Sequence, residues 1–271
     1  MDALQAIVLG IVQGLTEFLP ISSTAHLHIV PAILGWDDPG AAFTAVVQLG
    51  TMAAVLLYFR DDLYRIVVGW LRGLRDPELR RTHESRMGWY LVLATVPISL
   101  VGFALRHRIE DLADELTLIG STLILFGLVL LAAERVGRRE RDLDEVTTGD
   151  AVAVGLAQAL ALVPGVSRSG ATISAGLLRG LDRAAAARFS FLLSVPAVVL
   201  SGLFELKDIG GDGAASPGAT VLAILLAFVT GYASIAFLLR YLATHTTGVF
   251  VAYRVVLGAV VIALVAGGAI G

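Results

Sequence analysis

Two polar, proline-containing segments interrupt an otherwise apolar sequence, at residues 13–26 and 158–172. The first carries Glu17 and His26, and the second carries Arg168. A charged side chain at the centre of a bilayer costs at least about 2.5 to 3.5 kcal/mol, so such residues usually mark a functional site. We therefore expect the two segments to form one site together.

Each segment places hydroxyl groups and small residues where a new helix is expected to begin. A helix start offers unpaired N–H groups and the positive end of the macrodipole, which bind anions such as phosphate. Arg168 adds a planar donor that suits phosphate oxygens, and glycine lets the backbone approach an anion closely. The alternative is that these residues only cap the helices. The predicted substrate-binding residues are Gln13, Ser22, Thr24, Gly165, Ser167, Ser169, Gly170 and Thr172.

Glu17 and His26 are the candidate acid–base groups. The Glu17 carboxylate could ligate a divalent cation, position His26 or act as a base. Its structural alternative is an ion pair with Arg168 or Arg254. His26, three residues after Ser23, would face the same pocket and could act as a nucleophile or a proton-transfer group. The alternative for His26 is a hydrogen-bonded filler.

Five nearby residues receive a structural interpretation. Gly10 and Gly14 form a GxxxG pattern, which predicts close helix packing. His28 points to another side of its helix. Arg254, next to Tyr253 in the last apolar stretch, could reach a phosphate, but we expect it to snorkel to the cytoplasmic interface.

The composition predicts an all-α, polytopic membrane protein. Of the 271 residues, 56% are hydrophobic and only 16% are charged. The absence of cysteine excludes thiolate nucleophiles and cysteine zinc sites, and the sequence has no Walker A, HExxH or Rossmann motif. Net acidity argues against nucleic-acid binding. Six stretches are long enough to cross a bilayer, near 41–59, 88–105, 116–133, 186–204, 218–239 and 248–270.

An internal repeat divides this single membrane domain, residues 1–271, into two copies. The sequence from Gly10 aligns with the sequence from Gly155 at an offset of 145 residues. The copies span about 1–134 and 150–271, with a charged hinge between them. Three crossings per copy make the repeat inverted. The polar segments at 1–34 and 150–180 are then predicted to be two re-entrant helical hairpins whose tips meet near the midplane.

The distribution of arginine predicts the orientation. The loops at 60–86, 134–150, 179–188 and 240–247 contain fifteen arginines, whereas the loops at 106–115 and 205–217 contain two arginines and one lysine. By the positive-inside rule, the first set is cytoplasmic and both termini lie outside.

The two motifs resemble those of the undecaprenyl-diphosphate phosphatase family linked to bacitracin resistance. The family's (Glu/Gln)-x3-Glu pattern followed by Pro-x-Ser-Ser-Thr-x-His is matched from Gln13 to His26. Its Pro-Gly-x-Ser-Arg-Ser-x-x-Thr pattern is matched from Pro164 to Thr172. The resemblance implies a bacterial plasma-membrane enzyme that hydrolyses a C55 polyprenyl diphosphate to the monophosphate and phosphate. This reaction recycles the lipid carrier for cell-wall synthesis, at a site open to the periplasmic or extracellular side.

The resemblance also implies that Glu17, Ser23, His26 and Arg168 are the catalytic residues. The family is described as dependent on a divalent cation, Mg²⁺ or Ca²⁺, with two acidic ligands. This chain has Gln13 at the first position, so Glu17 is the metal candidate and the diphosphate and water would supply the other ligands. Either Ser23 or His26 attacks the terminal phosphorus, or one of them activates a water. The sequence does not choose between these versions, nor between a monomer and a homodimer.

A transporter or flippase for an anionic lipid or phosphate is the alternative function. Inverted repeats with broken helices at the midplane are also typical of secondary transporters. The alternative predicts movement of the substrate without bond cleavage.

Overall fold

The computed structural model describes residues 2–38, 40–112, 115–205 and 217–270, without the side chains of 41, 110, 111 and 200–205. The described residues form eleven α-helices, which confirms the all-α prediction. In chain order these are α1 Ala3–Phe18, α2 Ser23–Leu34, α3 Gly40–Tyr58, α4 Arg60–Arg75, α5 His83–Leu112, α6 Leu116–Val136, α7 Thr148–Leu160, α8 Arg168–Leu178, α9 Arg183–Glu205, α10 Pro217–Leu242 and α11 Gly248–Ala266.

Four of these helices contain spans long and apolar enough to cross a membrane. They are His83–Ile109, Leu116–Val136, Pro217–Leu242 and Gly248–Ala266. A fifth span results if Ala42–Tyr58 and Arg60–Arg75 are counted together, although the pair is bent by 76°. The chain is thus a polytopic membrane protein.

Both polar segments are helix–break–helix units, as their prolines predict. Helix α1 ends at Phe18, just before Pro20, and α2 begins at Ser23. Helix α7 ends at Leu160, and α8 begins at Arg168 after a break that contains Pro164. Proline has no N–H and its ring clashes with the preceding turn, so the chain leaves the helix near these positions. We call the two breaks, residues 19–22 and 161–167, the first tip and the second tip.

The first helix of each polar unit packs closely on a long helix. A Cβ atom on Gly10 of α1 would lie 2.6 Å from the carbonyl oxygen of Ala223 of α10, and one on Gly14 would lie 2.6 Å from that of Ala227. This contact confirms the packing interpretation of the GxxxG pattern. On the other side, a Cβ atom on Gly155 of α7 would lie 2.6 Å from Cα of Ala94 on α5. Helices α6 and α11 form a third extended contact.

The predicted loop at 60–86 is wrong over most of its length. Residues 60–75 form α4, with Asp61 and Asp62 in the first turn and Arg72 and Arg75 in the last, where they complement the helix dipole. Helix α5 then begins at His83. The predicted loop at 205–217 lies outside the described residues except at its two ends.

The charged run at 134–150 is held by two clusters of ion pairs rather than being a free linker. Glu134 binds Arg139 and Arg183 and also accepts a 3.0 Å hydrogen bond from Oγ1 of Thr247. The second cluster surrounds Asp150, whose side chain is fully buried. Arg141, Arg179 and Thr147 all donate to its carboxylate, at 2.6, 2.8 and 2.8 Å. These bonds fix where α7 begins relative to α6 and α8.

Candidate active site

Both tips line one cavity of about 230 Å³. The residues around it come from both polar units and from two long helices. The first unit contributes Gln13, Glu17, Ser22, Ser23, Thr24 and Leu27; the second contributes Ala161, Leu162, Val163, Gly165, Ser167 and Arg168; Thr44, Gln48 and Ile98 come from α3 and α5.

Both tips end in a serine with the same unusual backbone conformation. Ser22 has φ of 75° and Ser167 has φ of 70°, a left-handed region that residues other than glycine seldom adopt. Each hydroxyl caps the following helix, since Ser22 accepts from the N–H of Ala25 at 3.4 Å and Ser167 accepts from that of Gly170 at 3.1 Å. Such strain persists where the surrounding structure enforces it, often at functional sites.

Glu17 is the hydrogen-bonding centre of the cavity. Its Oε1 accepts a 2.7 Å bond from Nη2 of Arg168, which joins the two polar units. Its Oε2 accepts a 2.6 Å bond from Oγ of Ser23 and a 3.1 Å bond from Nε2 of Gln13. The structure thus brings the carboxylate, hydroxyl and guanidinium together, with the Glu17 side chain only 8% exposed.

Two buried polar atoms of these residues have no hydrogen-bond partner among the described residues. They are Nη1 of Arg168 and Oε1 of Gln13. Both residues line the cavity. An unpaired buried polar group costs about 1 to 3 kcal/mol, and more when it is charged. A ligand in the cavity that accepts from Arg168 would remove that cost.

His26 does not line the cavity, contrary to the expectation that it would face the same pocket. Its Nδ1 lies 2.7 Å from the carbonyl oxygen of Ser22, and its Nε2 lies 2.6 Å from the hydroxyl of Tyr253. A carbonyl oxygen can only accept, so we assign the proton to Nδ1 and the accepting role to Nε2. The side chain is 6% exposed and stacks on the Tyr253 ring. His26 therefore binds the backbone at the start of α2, outside the cavity lining.

The other predicted substrate-binding residues divide between the cavity and the packing behind it. Gly165 lines the cavity with φ of 87°, and a Cβ atom there would lie 2.1 Å from Oγ1 of Thr122. Ser169 instead donates a 3.0 Å bond to the carbonyl of Leu19 and so joins the start of α8 to the first tip. Thr172 donates at 2.7 Å to the carbonyl of Arg168, and it is not part of the cavity wall.

The prediction that Arg254 snorkels to the interface is wrong. Arg254 is 0% exposed, and all five of its hydrogen bonds go to carbonyl oxygens of Pro20, Thr122, Leu123, Gly165 and Val166. Gly170 packs against this guanidinium, because a Cβ atom on Gly170 would lie 2.9 Å from its Nη1.

Comparison with known proteins identifies the family. The family model described as "Bacitracin resistance protein BacA" matches residues 6–260. The chain belongs to the BacA family. A protein of Nocardioides sp. named "Undecaprenyl-diphosphatase" is 55% identical over 271 residues, covering 100% of this chain and 99% of that protein. A protein of Thermobifida fusca with the same name is 50% identical over 268 residues, covering 99% of this chain and 92% of that protein.

Three cavity residues of this BacA family member that lie outside the two polar units escaped the sequence prediction. Thr44 and Gln48 lie four residues apart on α3, and both line the cavity, as does Ile98 on α5. Two polar residues on one face of an otherwise apolar helix are the signal that could have identified the first pair. Nothing in the sequence singles out Ile98.

The residues at the cavity suit a cation carried by the substrate better than one held by the protein alone. Among the described residues, no group of three or more histidine, cysteine, aspartate or glutamate side chains could hold a metal ion. Among the described residues that line the cavity, Glu17 is the one carboxylate, and both its oxygens already accept hydrogen bonds. The unpaired Oε1 of Gln13 is a further oxygen that could serve as a ligand. Mg²⁺ is commonly bound by one or two protein oxygens together with phosphate and water, so this donor set fits that mode.

Proposed function

We propose that this chain hydrolyses undecaprenyl diphosphate to undecaprenyl monophosphate and inorganic phosphate. Relatives of about 50% identity that carry the name undecaprenyl-diphosphatase span the whole chain, which supports the same activity here. The structural observation that carries the proposal is the unpaired Nη1 of Arg168 beside Ser23 and Glu17. This arrangement offers a donor for an anion next to a hydroxyl that already touches a base.

The diphosphate would bind between the two tips. Nη1 of Arg168 donates to a phosphate oxygen, and the N-termini of α2 and α8 add their positive dipole ends. Phosphoryl transfer is catalysed mainly by positioning and by stabilising charge on the transferred group. The two helix starts and Arg168 supply both contributions.

Ser23 is the attacking group that the geometry favours. Its Oγ attacks the terminal phosphorus, its proton passes to Oε2 of Glu17, and the bond between that phosphorus and the bridging oxygen breaks. Undecaprenyl monophosphate leaves with the bonding electron pair. Water then attacks the phosphorus of the phosphoserine, and the bond between phosphorus and Oγ of Ser23 breaks. Inorganic phosphate leaves with both protons of the water, and the proton held by Glu17 returns to Oγ.

His26 acts in this scheme as a positioning residue. A direct attack by its Nε2 would first require the 2.6 Å hydrogen bond from Tyr253 to break and the ring to turn into the cavity. By holding the carbonyl of Ser22, His26 fixes the residue that precedes Ser23.

A divalent cation, Mg²⁺ or Ca²⁺, would be held by the diphosphate and water together with Gln13 and Glu17. When bound, it supplies charge neutralisation on the phosphate oxygens. Glu17 keeps the base role described above whether or not the cation is present.

The proposed membrane arrangement has six crossings, α3, α5, α6, α9, α10 and α11, and two re-entrant hairpins, α1–α2 and α7–α8. Three features support an inverted repeat with copies at about 1–134 and 150–271. The caps at Ser22 and Ser167 match, the glycine contacts of α1 and α7 match, and α1 packs on α10 as α7 packs on α5. With the arginine-rich loops in the cytoplasm, both termini and the cavity mouth are on the outer side, in a bacterial plasma membrane.

Phosphate release by the purified protein tests the function. Wild-type protein in detergent receives a polyprenyl diphosphate, with and without a chelator, beside the variants Arg168→Ala and Arg86→Ala, the latter an exposed control. We expect release by the wild type and the control, and a loss of at least about 100-fold in Arg168→Ala. No release under any metal condition would refute the enzyme, and vesicle assays of lipid movement would then test the transporter alternative.

A further inference from the structure

Arg254 forms hydrogen bonds with both tips and with α6. Nη1 donates to the carbonyl of Pro20 at 3.2 Å, in the first tip. Nη2 donates to the carbonyls of Gly165 and Val166, both at 3.0 Å, in the second tip. Nε donates at 3.2 Å to the carbonyl of Leu123 on α6. One side chain from α11 therefore connects three separate parts of the chain directly behind the cavity.

Packing alone does not account for an arginine at this position. The residue is fully buried, and its hydrogen bonds among the described residues are accepted by backbone carbonyls rather than by a carboxylate. Burying a cation without an anionic partner is costly, and apolar side chains usually fill such space at lower cost. The cost of burying the Arg254 cation is offset if the bound diphosphate, on the other side of the tips, is the compensating anion.

The contacts of Arg254 also orient the backbone of the second tip. All described peptide bonds are trans, so the N–H of Ser167 points opposite to the carbonyl of Val166 in the same peptide plane. Because Arg254 binds that carbonyl, the N–H of Ser167 is directed away from Arg254. Ser167 itself lines the cavity.

Gly170 provides the space that this arrangement needs. Gly170 lies in the first turn of α8, four residues after Val166 of the second tip, and a Cβ atom there would lie 2.9 Å from Nη1 of Arg254. An alanine would thus push the guanidinium from the carbonyls it holds. The glycine in the second motif serves Arg254 rather than a direct approach to the anion.

We infer that Arg254 is the positioning residue that sets the two tips in register and adds positive potential to the diphosphate site. The inference rests on the proposed function and adds a residue that the motifs do not contain. Arg254 touches neither substrate nor reacting atoms in this scheme. It acts through the backbone of both tips and through its charge.

Two substitutions separate charge from geometry. Arg254→Lys keeps the charge but cannot reach three parts of the chain, because an ammonium group is a point donor without the planar fork. Arg254→Met removes both. Misplacement of reacting groups by about 1 Å can cost on the order of 100-fold in rate. We expect kcat to fall by about that factor in Arg254→Lys, with KM changed by less than about threefold because the charge is kept. In Arg254→Met we expect a larger fall in kcat together with a higher KM.

A second measurement tests the effect of the Arg254 charge on ligand binding, without turnover. The thermal midpoint is recorded with and without a polyprenyl methylenediphosphonate, whose bridging carbon resists hydrolysis. We expect a ligand-dependent rise in the wild type, in Arg254→Lys and in the exposed control Arg86→Met, and a smaller rise or none in Arg254→Met.

The outcomes distinguish failure of the inference from failure of the function. A wild type without phosphate release refutes the function. An active wild type whose folded Arg254→Met variant retains kcat and the ligand-dependent rise refutes the inference alone. An Arg254→Lys variant that does not fold would make Arg254 a requirement of folding and would refute the positioning role as well.

Discussion

The hydroxyl of Ser23 donates a 2.6 Å hydrogen bond to Oε2 of Glu17, so a candidate nucleophile and its base are already in contact. The other carboxylate oxygen accepts from Arg168 at 2.7 Å. One carboxylate thus binds a group from each polar unit and joins the two units at the candidate site.

Glu17→Gln should remove the base while keeping a side chain of the same size that can still form hydrogen bonds. An amide cannot take the proton of Ser23, and general-base catalysis contributes about 100- to 10,000-fold, so kcat should fall within that range. Steady-state phosphate release measures the effect. Glu78→Gln, an exposed change in the connection after α4, serves as the matched control and should behave as the wild type.

Phosphate should be trapped on Ser23 and not on His26. Acid quenching of the enzyme during turnover of a ³²P-labelled diphosphate, followed by peptide mapping, locates the label. A phosphoserine is stable in acid, whereas a phosphohistidine is stable in base, so quenching under both conditions separates them. Label on His26 would show that the Tyr253 hydrogen bond opens during catalysis, contrary to the scheme given above.

Stability should decrease at low pH through Asp150. Burial by itself would raise the pKa of this carboxyl group, but the hydrogen bonds from Arg141, Arg179 and Thr147 outweigh it, and the pKa lies below its usual value. A lowered pKa stabilises the fold above the unfolded value of about 3.9, and this contribution is lost as the pH falls below it.

Asp150→Asn tests that contribution directly. It leaves Arg141 and Arg179 without their anion and should cost about 3 kcal/mol at neutral pH, measured as a lower thermal midpoint in detergent. The loss relative to the wild type should shrink as the pH is lowered below about 4. A midpoint difference that does not change with pH would contradict the assignment to this ion cluster.

Added methyl groups on the packing faces of α1 and α7 should destabilise the protein. Gly10→Ala and Gly155→Ala each place a Cβ atom 2.6 Å from backbone atoms of the neighbouring helix. Overpacking of this kind costs about 1 to 3 kcal/mol. Gly218→Ala is the control, because a Cβ atom there meets nothing within 4 Å. Equal thermal midpoints for all three variants would show that the helices separate easily.

Much of the fold follows from apolar length and from proline. Four of the six apolar stretches predicted from the sequence lie within a helix, and those at 41–59 and 248–270 run past the ends of α3 and α11 by one and four residues. Both polar segments break where the prolines stand. Helix α4 was missed because its charges suggested a loop. Its apolar residues at 63, 66, 67, 70, 71 and 74 nevertheless follow the helical spacing, and that period was the available signal.

The candidate site shows where sequence reasoning stops. Motif spacing brings Glu17 and Ser23 together, because they lie on either side of one short break, and resemblance adds Arg168. The positions of His26 and Arg254 depend on α11, which is more than 200 residues from the first tip along the chain. Local spacing carries no information about such a contact. An arginine at the membrane interface has a lower desolvation cost than a buried one, so an interfacial position was expected for Arg254. Hydrogen bonds to the carbonyls of the two tips and α6 stabilise the buried position.

Protection of single cysteines tests most directly whether both tips bind one diphosphate. The chain has no cysteine of its own, so each variant carries one reactive thiol. Thr24→Cys lines the cavity from the first unit and Leu162→Cys from the second, while Val136→Cys is a control that is 73% exposed at the end of α6. Maleimide labelling is measured with and without the polyprenyl methylenediphosphonate. We predict that the ligand slows labelling at both cavity positions and leaves the control unchanged. Protection at one tip with unaltered labelling at the other would contradict a shared site.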